Sequence, residues 1–385
     1  MTTYDVAIIG AGVQGASAAQ ALAERGASVV VVEKDAPAAG PTGRSSAVVR
    51  GYYVNEFLAR TTRESLELFR NFEEWTHGGS ASFVEVGALF LHAEEDGPKL
   101  RRVAAGLNEL DVVTEVLERD ALGEQFPQFD LDGIAYGAWE PHAGHADPAG
   151  TTNGMLLRAL QLGAQLRRDT RVVKIERTAS EIVLGTDRGE DVTARKLLLC
   201  AGPWTSPLLR LVDVELPLWG ERHIIATYGW GDAAHVPFVW ASIPDGIYFK
   251  PELHAQYLVG TLWEEPHIDP DDFDHELAPD EQLRITMAVV GRVPHLEDSE
   301  ARNGYAAAYD VAPDWQPVIG DVAEDVYVVA GTAGHGFKWA PGLGRHVADL
   351  VTGADVDPEL EQFHPRRFAE GRDLDAGYGA AKILG

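Results

Sequence analysis

An α/β fold in two parts is predicted: a parallel-sheet domain and a second, mainly antiparallel-sheet domain. Three observations predict it. A glycine fingerprint sits between an apolar strand and a small-residue helix at the start of the chain. A β-meander near residue 200 returns to a buried strand. Residues 211 to 310 are rich in Trp, Tyr and Pro with strand-like alternation. At 385 residues the chain accommodates two interleaved domains.

The opening "YDVAIIGAGVQGASAAQALAERGASVVVVEKD" is the strongest local signal. Val6 to Ile9 read as a short apolar strand. Gly10, Gly12 and Gly15 form G-x-G-x-x-G, Ala16 to Glu24 continue as a helix, and "ASVVVVE" is a second buried strand ending at Glu33. The first glycine makes the tight turn, the second lets a pyrophosphate approach the backbone, and the third lets helix pack on sheet. The helix N-terminus favours the diphosphate, and Glu33 is placed to accept from ribose hydroxyls. The pattern is that of a Rossmann-type dinucleotide site. An acid at that position disfavours a 2′-phosphate and hence NADP; NAD and FAD both stay open.

Residues from Leu58 to Trp75 read as one amphipathic helix, and a second starts at Asp147–Pro148 with an apolar face from Met155 to Leu162. "TRVVKIERTASEIVLGTDRGEDVTARKLLLCAG" reads as a meander ending in a buried strand, Leu197 to Cys200, followed by Ala201 and Gly202. Small residues there, with Trp204 nearby, imply a second close approach to the ligand. Cys200 is expected to be a buried small hydrophobe. In "AGTAGHGFKWAPGLGRHVADLVTG", Pro341 predicts the first turn of a helix, Leu343, Val347, Leu350 and Val351 share a face, and Gly353 is the stop. His335 and Lys338 would then sit just before a positive helix end, which implies an anion in the site.

Composition excludes several classes. The net charge of −28, from 60 acidic and 32 basic side chains, disfavours nucleic acid and anionic membranes as partners. One cysteine excludes a disulfide framework and fits a reducing cytoplasm. The N-terminus has no basic region before its apolar run, and no apolar run approaches membrane-spanning length, so a cytoplasmic protein without membrane insertion is expected. His142 and His145 lack companion ligands, so no metal site is expected.

The N-terminal fingerprint, "GRSSAVVRGYY" (43 to 53), "YDVAPDWQPVIGD" (309 to 321) and "GHGFK" (334 to 338) together resemble the flavin-dependent amine and amino-acid oxidase family. That family includes D-amino-acid oxidase, glycine oxidase, monomeric sarcosine oxidase and dimethylglycine dehydrogenase. The resemblance implies FAD, with residues 1–80, 145–210 and 311–385 binding it and 81–144 and 211–310 forming the substrate domain. By the same resemblance Arg50 and Lys338 clamp a substrate carboxylate, His335 sits beside flavin and substrate, and Gly334, Gly336 and Phe337 meet the flavin's pyrimidine edge. Arg44, Ser45 and Ser46 would line the other edge or the diphosphate. Lys34, Val173, Ala201, Gly202 and Trp204 complete the cofactor contacts. Tyr248 and Tyr309 line the pocket or pack in the core.

The implied reaction is hydride transfer from the carbon beside an amine, in a small amino acid or N-alkyl amino acid, with O2 or an external acceptor reoxidising the flavin. Neither the cysteine nor the histidine through which some relatives bind flavin covalently is present in "NGYAAAYD" or "AAGPTGRSS", so FAD is expected to be non-covalent. Leu258 stands where sarcosine oxidases place an oxygen-reactive lysine, which keeps a dehydrogenase open. A flavin-dependent 2-hydroxyacid dehydrogenase and a non-catalytic electron-transfer subunit are the rival readings.

Overall fold

The computed structural model describes residues 3–252, 255–375 and 377–378. An eight-stranded sheet has Thr3–Ile9 at its centre. It pairs in parallel with Val29–Val32 on one side and Val192–Leu199 on the other. Gln165–Arg167 extends one edge beyond Val29–Val32. Val192–Leu199 is shared: its first residues pair antiparallel with Ile182–Thr186, its last ones in parallel with Val326–Ala330. Parallel strands covered on both faces are continuous apolar runs, as "VVVV" at 29–32 is. Val6 and Ile8 face the Val13–Glu24 helix, whereas Ala7 and Ile9 face a separate core on the opposite side.

Ten strands make the second sheet: three within 88–140 and seven within 219–311. It is antiparallel except where Val239–Ser242 runs parallel to Ala88–His92. Period-two alternation separates its faces. Leu89, Trp240, Ile247, Phe249 and Val259 pack outward against Ile285 and Val289 of the helix Pro279–Arg292. Ala88, Phe90, Ala138, Val239 and Ala241 point inward and merge with the core around the glycine fingerprint. Register then carries neighbours inward too, because Glu140 pairs with Ala88 and Tyr248 with Ala241. A small sheet of Val48–Val49, Gly144–His145 and Val84–Glu85 ties the two parts together.

Two expectations need correction. The helix predicted from Pro341 begins at Gly336 and runs to Thr352, so Pro341 is internal and Lys338 lies in the first turn. Tertiary partners tolerate the proline: Ser65 Oγ accepts from Gly342 N–H (2.9 Å), and Ser17 Oγ donates to Ala340 O (2.6 Å). Gly353 does end the helix, at φ 71°. The helix expected over Leu58–Trp75 is two, Glu56–Arg70 and Phe72–Thr76, broken at Asn71. The segment after Pro365, polar in composition, is anchored. Arg367, fully buried, makes a bidentate pair with Asp314 (2.8 and 2.9 Å) and donates to Phe363 O and Gln316 O. Residues 376 and 379–385 of that segment lie outside the described residues.

Candidate active site

Two connected cavities lie between the sheets. The larger, ≈ 440 Å³, begins beside Glu33 and Lys34, passes Gly10 and Gly12, and ends at Gly334, Gly336 and Phe337. Arg44, Ser45, Ser46, Val173, Ala201, Gly202, Trp204 and Tyr309 also line it. The smaller, ≈ 60 Å³, holds Arg50, His335, Lys338, Tyr248, Phe90 and Ala241. Ser46, Tyr309 and Gly334 line both, so the two spaces meet there.

The strand–turn–helix at the N-terminus explains the first half of the large cavity. Gly10 has φ +105°, and a Cβ there would lie 2.4 Å from Cys200 O. A Cβ on Gly15 would lie 1.9 Å from Gly10 O, so Gly15 is not a cavity residue but the contact that lets the helix pack. The first turn of that helix has no acidic residue. Val13 N–H donates to Thr42 Oγ1 (3.2 Å), and the positive helix end itself has no acidic side chain to offset it, which favours an anion. Glu33 holds the turn, accepting from Ala11 N–H (2.7 Å) and Asp35 N–H (2.9 Å). Val173 sits at a register shift in its strand pair, with its side chain 51% exposed. Such a bulge leaves the residue's backbone outside the ladder.

Residues not singled out in the sequence complete this cavity. Asp271 reaches over from the second sheet's side to Trp204 Nε1 (2.8 Å), Lys34 Nζ (3.3 Å) and Arg171 Nη1 (3.3 Å). Lys34 in turn lies 3.5 Å from the Trp204 ring centroid. Asp310 is buried; Oδ1 accepts from Thr332 Oγ1 (2.6 Å), and Oδ2 has no hydrogen-bond partner among the described residues. Burial pushes its pKa up. Asp271 comes from a loop and carries no sequence pattern; Asp310 was legible only as a polar residue within a strand. Cys200, buried beside Gly10 and Gly15, has its thiol pushed strongly up by burial.

Charge dominates the small cavity. The Arg50 guanidinium lies 4.6 Å from the Tyr53 ring centroid and 5.5 Å from that of Phe90, and donates to Tyr52 O. Burial, and secondarily the Arg50 charge, pull the Lys338 ammonium well below the usual lysine range. Two cations brought together out of water create a strong preference for an anion between them. His335 Nδ1 lies 3.2 Å from Tyr53 Oη. The Tyr248 hydroxyl interacts with Ser46 and Tyr309, and the Tyr309 ring stacks on His223 at 4.0 Å. Glu140, also absent from the sequence reading, accepts from Gly51 N–H (2.7 Å) and Tyr52 N–H (3.1 Å) while 1% exposed. Leu258 pairs directly with Lys250, a buried lysine whose pKa burial lowers to about 8.

A glycine cradle, an undemanding helix N-terminus, an orphaned buried carboxylate oxygen and an elongated cavity fit a dinucleotide. The model of one family, "FAD dependent oxidoreductase", matches residues 5–350. The chain belongs to that family. Its cofactor is FAD. The chain is similar to monomeric sarcosine oxidase of Bacillus sp. (strain NS-129), at 25% identity over 383 residues covering 96% of this chain and 98% of the relative. Peroxisomal sarcosine oxidase of Homo sapiens is 26% identical over 384 residues, covering 95% and 96%. Among solved structures, L-proline dehydrogenase from P. horikoshii superposes with a TM-score of 0.87 at 25% identity, covering 97% of this chain and 99% of that one. Among the described residues, no helix is long and apolar enough to cross a membrane.

Proposed function

We propose that this FAD enzyme oxidises the C–N bond of a small amino acid or N-alkyl amino acid of the sarcosine, glycine or proline type, holding its carboxylate between Arg50 and Lys338. The observation that carries this reading is the pair of buried basic side chains, Arg50 and Lys338, lining a small cavity that shares Ser46, Tyr309 and Gly334 with the cofactor cavity. The names of the relatives, oxidases and a dehydrogenase of sarcosine and proline, support it.

Bound FAD would supply the acceptor for a hydride from the carbon beside the nitrogen, and the imine product would hydrolyse in water. The chain's own part is orientation and electrostatics. Arg50 and Lys338 fix one end of the substrate. Phe90, Val239, Ala241 and Leu262 form an apolar wall that limits substituents to small groups. The positive potential of the two cations lowers the pKa of a nearby ammonium, so the amine is more readily present in its neutral, reactive form. Gly334 and Gly336, with the helix start they lead into, face the cofactor cavity and stabilise negative charge there. The lone cysteine is buried against the glycine turn, which supports non-covalent cofactor binding. The eight-stranded sheet with residues 1–80, 145–210 and 311–385 serves as the cofactor half; 81–144 and 211–310 serve as the substrate half.

Anaerobic titration of the purified yellow protein tests this reading. Sarcosine, glycine or proline is expected to bleach the flavin absorbance, and admitting air or an artificial acceptor to restore it. No bleaching by any of these amines, or bleaching by 2-hydroxyacids alone, overturns it.

A further inference from the structure

Arg50 points into the pocket from a loop rather than from a strand or helix, so something must aim it. The strand Tyr136–Glu140 ends inside the protein, and both carboxylate oxygens of its last residue are used on that loop. Oε1 accepts from Gly51 N–H at 2.7 Å and Oε2 from Tyr52 N–H at 3.1 Å. Gly51 permits the approach: a Cβ there would lie 2.7 Å from Val112 Cγ1 and 3.4 Å from Glu140 Oε1. Tyr52 O, on the same peptide run, takes a hydrogen bond from the Arg50 guanidinium, whose faces meet Tyr53 and Phe90. The carboxylate, the two amides, the Tyr52 carbonyl and the guanidinium form one continuous buried chain of contacts.

We propose that Glu140 is a positioning residue for substrate binding: by gripping the Gly51 and Tyr52 amides it aims the Arg50 guanidinium at the substrate carboxylate. The proposal rests on the reading of Arg50 as part of a carboxylate clamp. A carboxylate suits the task because it accepts at both oxygens and opposes the Arg50 charge. A neutral amide at the same position would face one backbone N–H with its own NH2, leaving two donors opposed. Burial pushes the Glu140 pKa up to about 7, and the Gly51 amide, Arg50 and the Tyr52 amide hold it from rising further. Placing an acid here is therefore costly, and the grip on the loop is what compensates for it.

The test uses FAD-loaded wild type, Glu140→Gln and Glu140→Asp, titrated with 2-furoate and its neutral analogue 2-furamide while flavin absorbance reports binding. Aspartate keeps the charge but shortens the reach, so the pair separates position from charge. The expected result is a loss of 2-furoate affinity of at least tenfold in Glu140→Gln and at least threefold in Glu140→Asp, with 2-furamide affinity within twofold throughout. Amine turnover would show the same split, a raised KM with kcat within about threefold. Wild-type affinity for 2-furoate in either folded variant, or parallel loss of both probes, overturns the proposal. If Glu140→Gln fails to fold, Glu140→Asp carries the test by the same criteria. Failure of the underlying clamp reads differently: wild type itself would not prefer 2-furoate over 2-furamide.

Discussion

The two ends of the active-site space are built by opposite means. At the nucleotide end, Gly10 and Gly12 present backbone, a helix start and empty volume, with Gly15 packing the helix behind them, all within six consecutive residues. At the substrate end, Arg50, Glu140 and Lys338 present buried ionisable side chains from three distant segments. A backbone site is neutral, needs no counter-charge and tolerates no added atoms. A side-chain site tolerates atoms but pays for burying charge, which is why pKa values move there: Lys338 down, Glu140 up. The nucleotide end is thus sensitive to sterics, and the substrate end to charge and pH.

The sharpest way to break this contrast is Gly15→Ala. Its Cβ would lie 1.9 Å from Gly10 O, and a backbone oxygen cannot move aside as a flexible side chain can. Purified Gly15→Ala protein is expected to be colourless, with FAD content below a tenth of wild type by absorbance. Retention of full flavin would show that the turn is not rigid. At the other end, Arg50→Ala is expected to leave flavin content intact and raise KM for a carboxylate-bearing amine. Loss of a charge-assisted hydrogen bond of about 1.5–3 kcal/mol corresponds to about 10- to 150-fold. Steady-state kinetics across the amine panel checks it.

A pH experiment sharpens the charge side. His145, 8% exposed in the small sheet next to Val48, has its pKa lowered to about 4 by burial and then by Lys250. Between this value and the unfolded value near ~6.5, the unfolded chain binds more protons than the native one, so stability falls as pH drops through that window. The contribution lost is on the order of 3 kcal/mol. Thermal melts from pH 7 to pH 4 are expected to show a smaller drop in Tm for His145→Gln than for wild type. Equal drops would mean that His145 titrates normally. The smallest effect is expected at the surface. Asp271→Ala removes a half-exposed carboxylate from Trp204, Lys34 and Arg171. FAD dissociation, followed by fluorescence, is expected to rise only about two- to fivefold, since exposed ion pairs contribute about 0.2–1 kcal/mol. Raising the salt concentration should narrow the difference between the two proteins.

Legibility in the sequence followed the same divide. The fingerprint strand and helix, the meander ending at Leu199 and the alternating strands of the second sheet were all readable, because each is decided by neighbours a few residues apart. The resemblance brought out Arg50, His335 and Lys338, which the fold gathers into one cavity. Glu140, Asp271 and Asp310 escaped notice: one ends a strand, one lies in a loop, one sits within a strand, and their partners are 22 to 237 residues away. Pro341 misled because a proline normally marks a helix start. Here Ser65 and Ser17, from other helices, serve the backbone around it. The polar composition after Pro365 hides Arg367, whose burial is compensated by the distant Asp314 together with the Phe363 and Gln316 carbonyls.

Sequence alone determined that the chain opens with a dinucleotide turn, since glycine spacing, strand and helix are local and backbone-driven. It also determined that a large antiparallel sheet follows, since alternation encodes which side chains share a face. Only the tertiary structure decided that two cations meet in one pocket, that a buried glutamate grips the loop carrying one of them, and that the helix beneath starts before its proline. Those outcomes depend on desolvation and on contacts between segments far apart in the chain, and neither quantity exists until the chain has folded.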